Sequence, residues 1–177
     1  YQPQGSSPSI PIGALTIYGG SGNDRIQGGN FIRVECGDGD DIVTTYSASI
    51  NLKPNILGES GYDILQFTRG QSYSQIPTSL KEQLWLPTGF EEIRFENGEA
   101  INLRFLDSTA SEGTTFKIRS SRNGQGIKVD FSAETNAFLD IEGNDTKIGT
   151  SPLSVASDDV LIGGALADVI SSLGGND

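Results

Sequence analysis

Histidine and methionine are missing from all 177 residues, and cysteine occurs once, as Cys36. Without histidine there is no Ser-His-Asp or Cys-His catalytic set, and zinc and non-haem iron centres lose their commonest ligand. A single cysteine excludes an internal disulfide framework. Basic residues are scarce: 12 against 23 acidic ones give a formal charge of −11, which argues against nucleic acid and anionic membrane as partners. No apolar run approaches the roughly 18 residues of a membrane helix. Hydrophobic residues make up only 35%, so the chain buries little apolar surface per residue and needs a supplement to its core. With no methionine at the start, no leader-like stretch before the first turn and a last residue inside a repeat unit, the chain is expected to be a fragment of a longer polypeptide.

Glycine is abundant instead, with 23 copies, about twice the average share. Near the carboxyl end Asp159, Asp168 and Asp177 stand nine residues apart, with Leu161 and Ile170 two places after the first two. Near the amino end a fuller unit appears, G-G-x-G-x-D-x-U-x, where U is a bulky aliphatic residue. Gly19-Gly20-Ser21-Gly22-Asn23-Asp24-Arg25-Ile26-Gln27 matches every specified position. Cys36-Gly37-Asp38-Gly39-Asp40-Asp41-Ile42-Val43-Thr44 has Cys36 for the first glycine, and Gly58-Glu59-Ser60-Gly61-Tyr62-Asp63-Ile64-Leu65-Gln66 has Glu59 for the second. The last copies are poorer in glycine, with Leu166 at a glycine position. Gly143-Asn144-Asp145-Thr146 looks like a decayed copy, but Lys147 stands where U belongs, and an ordinary β-turn is the favoured reading there. One such cluster is an ordinary turn; several in a nine-residue register make a repeat.

The unit resembles the hemolysin-type calcium-binding repeat of RTX proteins. The resemblance implies an all-β fold, a parallel β-roll in which each unit gives a six-residue turn and a three-residue strand, and two units make one coil. The U side chains then stack inward. It also implies calcium in the turns, a hard cation that takes six to eight oxygens at about 2.3–2.6 Å. Those oxygens come from turn carbonyls and aspartate carboxylates, and the glycines allow positive φ and close approach to the ion. The candidate ligands are Gly19, Ser21, Gly22 and Asp24; Cys36, Asp38, Gly39 and Asp41; Gly58, Ser60, Gly61 and Asp63; and Asp159, Asp168 and Asp177. Turns on one side recur at every second unit. Asp24 and Asp41 are seventeen apart, Asp41 and Asp63 twenty-two, so all three are expected to stack on one side with calcium between them. The turns opposite, near residues 28–30 and 47–54, lack aspartates and are expected to hold no ion. Asp159 and Asp177 are expected to share a site, with Asp168 on the other side.

The chain divides into a linker at 1–15, a first roll block at 16–66, a β-rich insert or cap at 67–144 and a second block at 145–177. Within the insert, the capping-box pattern Ser79-Leu80-Lys81-Glu82 with Pro87 as a stop predicts a short helix over 79–85, with Trp85 as a core anchor. Ile93 and Phe95, then Asn97-Gly98, then Ile101 and Leu103, predict a hairpin. Phe116-Ile118 and Ile127-Val129-Phe131 predict a second one around the loop 120–126. A segment like Glu91-Glu92-Ile93-Arg94-Phe95 before Asn97-Gly98 is also similar to sequences that adjoin such repeats.

Other chemistry finds little support. Glu91, Glu92, Glu96 and Glu99 offer a carboxylate pair for glycoside hydrolysis, but on a strand and its turn they are better read as a solvated face, with Arg94 and Arg104 as surface ion-pair partners. Gly19-Gly20-Ser21-Gly22 lacks the Lys-Ser/Thr of a phosphate loop. Acidic neighbours raise the Cys36 pKa and make it a poor nucleophile. The leading expectation is therefore a calcium-binding module without catalysis. The family resemblance adds a secreted bacterial exoprotein, exported by type I secretion machinery and folding in extracellular calcium, in the medium or at the cell surface. The alternatives are an adhesive or surface-layer module that binds carbohydrate or itself, and a polysaccharide lyase or epimerase on a parallel β-helix. The latter would use the basic residues Arg94, Arg104, Arg119 and Lys128.

Overall fold

A computed structural model describes residues 16–28, 33–46, 55–68, 83–84, 88–95, 101–107, 109–120, 127–143 and 159–173. These residues form fourteen strands and no helix. In chain order the strands are Thr16–Ser21 (β1), Arg25–Gly28 (β2), Arg33–Asp38 (β3), Ile42–Tyr46 (β4), Asn55–Ser60 (β5), Ile64–Thr68 (β6), Gln83–Leu84 (β7), Glu92–Phe95 (β8), Ile101–Arg104 (β9), Thr115–Ser120 (β10), Ile127–Asp130 (β11), Phe138–Glu142 (β12), Val160–Ile162 (β13) and Val169–Ser171 (β14). Every even strand lies in one seven-stranded sheet, in the order β14-β12-β10-β8-β6-β4-β2. The odd strands form two sheets, β1-β3-β5 and β13-β11-β9-β7. A parallel bridge between Leu57 and Thr88 links the stretch before β8 to β5. All pairings between strands are parallel, so each odd strand and the even strand after it make one coil, laid beside the coil before.

The register explains why the U positions matter. Ile26, Val43, Leu65, Ile93, Ile118, Ile141 and Ile170 are paired in one unbroken row across the seven-stranded sheet. All but the last are buried, and each fully buried aliphatic side chain contributes about 1.5–3 kcal/mol. From the other layer, Ile17, Val34 and Ile56 form a matching row, and Val129 pairs with Leu161. Residues one place away lie on the opposite face of the sheet, as strand geometry requires, and Thr44, Gln66 and Glu92 are buried there. Glu92, Lys117 and Asp140 form one such row, and Arg94, Arg119 and Glu142 another.

Residues 67–144 depart from the expected pattern. The two hairpins do not form: β8 pairs with β6 and β10, whereas β9 pairs with β7 and β11 in another sheet. Likewise β10 and β11 lie in different sheets. Alternation reports which face is buried, not which strand is the neighbour, and here each alternating segment pairs with its counterpart one coil away. Strand pairing also runs across residues 66/67 and 144/145, through β6 with β8 and β12 with β14. Gln83 and Leu84 are strand rather than the end of a helix; the rest of the expected helix, Trp85 included, lies outside the described residues.

The interior changes character along the stack. Phe67 and Phe95 stack at 5.5 Å. Further on, Phe105 and Phe131 stack at 4.2 Å, and Phe116 meets them at 6.3 and 5.7 Å. Aromatic pairs at such separations add about 0.5–1.5 kcal/mol beyond their buried area.

Candidate functional site

The connections from each odd strand to the next even strand all lie on one edge of the stack. In the first three coils these are the glycine turns of the repeat. Gly20, Gly22, Gly37, Gly39 and Gly61 all have positive φ, between 101° and 139°. Gly37 shows why the residue is required: its φ is 101°, and a Cβ there would collide with the carbonyl of Gly20 in the preceding coil. Gly22 N–H donates to Asp38 O at 2.7 Å and Gly39 N–H to Ser60 O at 2.8 Å, which clamps successive turns together. Glu59 occupies the same turn position as Gly20 and Gly37 and is also left-handed, with φ of 75°.

Above these turns runs a ladder of carboxylates. Asp41 Oδ1 accepts the N–H of Asp24, seventeen residues earlier, at 2.7 Å. Asp63 Oδ1 accepts the N–H of Asp41, twenty-two residues earlier, at 2.8 Å. Glu91 Oε2 accepts the N–H of Asp63 at 2.7 Å. An outer rung runs alongside, with Asp40 N–H on Asn23 Oδ1 at 3.0 Å and Tyr62 N–H on Asp40 Oδ1 at 2.9 Å. The three aspartates are thus stacked on one edge, in the register expected from their spacing.

Each of these aspartates has a second oxygen without a hydrogen-bond partner. The Oδ2 atoms of Asp24, Asp41 and Asp63 are all buried and unsatisfied, and Asp41 and Asp63 are wholly inaccessible to solvent. Asp24 Oδ2 lies over Gly19 and Asp63 Oδ2 over Gly58, where a Cβ would stand 2.9 and 2.7 Å from the oxygen. A buried anionic oxygen without donor or counter-ion is costly and normally recruits a proton or a cation. Burial pushes the Asp63 carboxyl up to about 7, against the Asp41 N–H that favours its anion and with the charges of Asp41, Glu91 and Asp40 adding to the rise. Cys36 is pushed up to about 12, first by burial and then by Asp41, Asp63, Glu59 and Asp24. Its thiol is neutral and belongs to the core; only its carbonyl, which lies against Gly19, faces the turn.

Ser21, Asp38 and Ser60 share one register position at the mouth of the turns, with exposed side chains. Asp159 and Asp168 stand at opposite edges of the last coil, before β13 and β14. Asp159 Oδ1 accepts the Ile127 N–H at 2.8 Å. Asp168 lies on the edge of the ladder and uses both oxygens within the protein, Oδ1 for Leu139 N–H at 3.0 Å and Oδ2 for Gly164 N–H at 2.7 Å. Asp177, Asp145, the turn at 47–54 and most of 28–30 lie outside the described residues.

Glu91 is the ladder member that sequence reasoning missed. Gly89-Phe90-Glu91-Glu92-Ile93 repeats the turn as G-x-E-x-U, with glutamate for aspartate. In the next two coils, Phe116 and Leu139 hold the corresponding place two residues before Ile118 and Ile141, and both are buried. The carboxylate ladder stops where the phenylalanine cluster begins.

Of the glutamates weighed for glycoside chemistry, Glu91 and Glu92 are engaged elsewhere, Glu91 in the ladder. Glu92 is buried, but it accepts from Tyr62 Oη at 2.9 Å and from Arg94 Nη2 at 3.2 Å, and these bonds hold its carboxyl below the usual value despite burial. Lys117 donates to Tyr62 Oη at 3.2 Å. Arg94 pairs with Glu92 on its own strand, and Arg104 pairs with Asp130 of β11 rather than with a glutamate. Glu96 and Glu99 lie outside the described residues. Among the described residues no three His, Cys, Asp or Glu side chains converge on a common point. An ion in the ladder would therefore draw much of its shell from backbone carbonyls. No protein-family model, curated protein or solved structure matches this chain. What the structure defines is an all-β protein of parallel sheets with a stacked carboxylate edge.

Proposed function

We propose that the chain is a calcium-binding module, a parallel β-roll of RTX type whose turns take up the ion and whose folding depends on it. The observation that carries this reading is the row of buried Oδ2 atoms at Asp24, Asp41 and Asp63, one per coil and each without a donor. Calcium suits this row because it takes many oxygens in flexible geometry and needs no nitrogen or sulfur. Asp24, Asp41 and Asp63 would supply carboxylate oxygens. Carbonyls of Gly19, Ser21, Gly22, Cys36, Asp38, Gly39, Gly58, Ser60 and Gly61 are the pool for the remainder. The carbonyls of Asp38 and Ser60 already accept one N–H each and keep one lone pair.

Bound calcium would supply charge neutralisation and cross-linking between coils. Without it, glycine entropy and carboxylate repulsion oppose collapse; with it, binding adds only to the folded state. A chain that is only marginally folded without calcium and stable with it suits passage through an export channel in the cytosol's low calcium and folding outside, so we place it in a secreted or surface protein that uses type I export. No catalytic role is assigned. Equilibrium calcium titration of the 177-residue chain, with magnesium as control, tests the reading. Saturable calcium uptake below millimolar concentration is expected, and an absence of uptake at millimolar calcium would overturn it.

A further inference from the structure

A second buried carboxylate stands where the repeat motif is absent. Glu134 lies in the turn between β11 and β12, on the same edge as the ladder, and is wholly buried. Its Oε1 accepts the N–H groups of Asn136 and Ala137 at 3.0 and 3.1 Å. Its Oε2 is buried with no partner, and so is Asn136 Oδ1 in the same turn.

The turn is enclosed on both sides. Toward the preceding coil, Thr135 N–H and Oγ1 donate to Asp107 Oδ1, both at 2.7 Å, and Gly113 N–H donates to Asn136 O at 2.9 Å. Toward the following coil, Ala165 N–H donates to Glu134 O at 2.8 Å, and Gly164 packs so closely that a Cβ would stand 2.8 Å from that carbonyl. None of the ion pairs among the described residues involves Glu134.

We propose that Glu134 Oε2 and Asn136 Oδ1 are ligands of a further divalent cation, of the calcium class, in the 131–137 turn. Two acceptor oxygens, two residues apart and both without a donor, are the basis. A hard cation engages both oxygens and also neutralises the buried charge. The position fits the interruption of the ladder. In this coil Leu139 takes the place of the aspartate, and Glu134, five residues earlier, brings a carboxylate to the same edge. The site shares its ion with the function proposed above but none of its residues.

Calorimetric calcium titration of the parent chain, Glu134→Gln and Asp41→Asn tests this. Gln keeps the acceptor for the Asn136 and Ala137 N–H groups and removes the charge. The expected result is one calcium fewer in Glu134→Gln, with an unchanged far-ultraviolet spectrum in calcium; unchanged stoichiometry overturns the site. A calcium lost in Glu134→Gln but indifferent to Asp41→Asn keeps this site and contradicts the ladder. Loss confined to Asp41→Asn does the reverse, and a parent chain that binds no calcium overturns both. If Glu134→Gln does not fold, terbium anomalous scattering from crystals of the parent decides. A peak at coordination distance from Glu134 Oε2, about 2.3–2.6 Å, supports the site, and a water or empty density there overturns it.

Discussion

Asp41 donates its backbone N–H to the carboxylate of Asp63 at 2.8 Å, and the second oxygen of that carboxylate is buried without a donor. One oxygen thus holds successive coils in register while the other has no hydrogen-bond partner. The same division recurs at Asp41, whose Oδ1 takes the Asp24 N–H.

Asp41→Asn separates these roles. Asparagine keeps the acceptor for the Asp24 N–H and removes the buried charge. In chelator the variant is expected to melt at or above the temperature of the parent. In calcium it is expected to melt below it, by the share of binding energy the site contributes, about 2.7 kcal/mol at a free ion concentration a hundred times the dissociation constant. Thermal unfolding in both media checks this; an equal loss in each would assign Asp41 a purely structural role.

Backbone strain gives a second prediction. Glu59 is left-handed at φ of 75° where the earlier turns have glycine, a conformation that costs a side-chain-bearing residue about 1–2 kcal/mol. Glu59→Gly is expected to raise stability by about 1 kcal/mol once the greater freedom of the unfolded glycine is subtracted. Gly37→Ala is expected to lower it by about 3 kcal/mol, through a strained φ and a backbone collision. Urea unfolding in calcium measures both, and a destabilised Glu59→Gly would show that the Glu59 side chain outweighs its strain.

The stacked aspartates and the inward aliphatic row were legible because the motif fixes both the turn and the U position two residues after Asp24, Asp41 and Asp63. Coil length was less legible: the ladder steps by seventeen, twenty-two and then twenty-eight residues, since the connections between even and odd strands vary while the pairing does not. Without a constant period, the segment from β8 to β11 looked like hairpins, because alternation is the same in a hairpin and in a parallel stack. Glu91 escaped notice as a longer side chain doing an aspartate's work. Glu134 escaped because its burial depends on turns from two other coils.

Asp63 predicts a pH dependence in the metal-free protein. Its folded value is raised from 3.8 to about 7, chiefly by burial, so the folded state holds a proton that the unfolded chain releases at lower pH. That contribution to stability is fully present below 3.8 and is lost as the pH rises through about 7. In chelator, the melting temperature of the parent is expected to fall across this window more steeply than that of Asp63→Asn. Parallel curves for the two proteins would contradict the assignment.

The phenylalanine cluster should stabilise the chain whether or not calcium is present. Phe131 is fully buried and stacks on Phe105 at 4.2 Å, so Phe131→Ala is expected to cost about 3–5 kcal/mol. Denaturant midpoints in calcium for the variant and parent give the difference; a loss below about 1 kcal/mol would mean that the cluster is not a core.

Calcium-dependent folding is tested most directly by far-ultraviolet circular dichroism and thermal melting of the 177-residue chain in chelator, in magnesium and in millimolar calcium. The expected result is a gain of β signal in calcium and a melting transition at higher temperature there than in chelator or magnesium. Identical spectra and melting curves in all three media would contradict it.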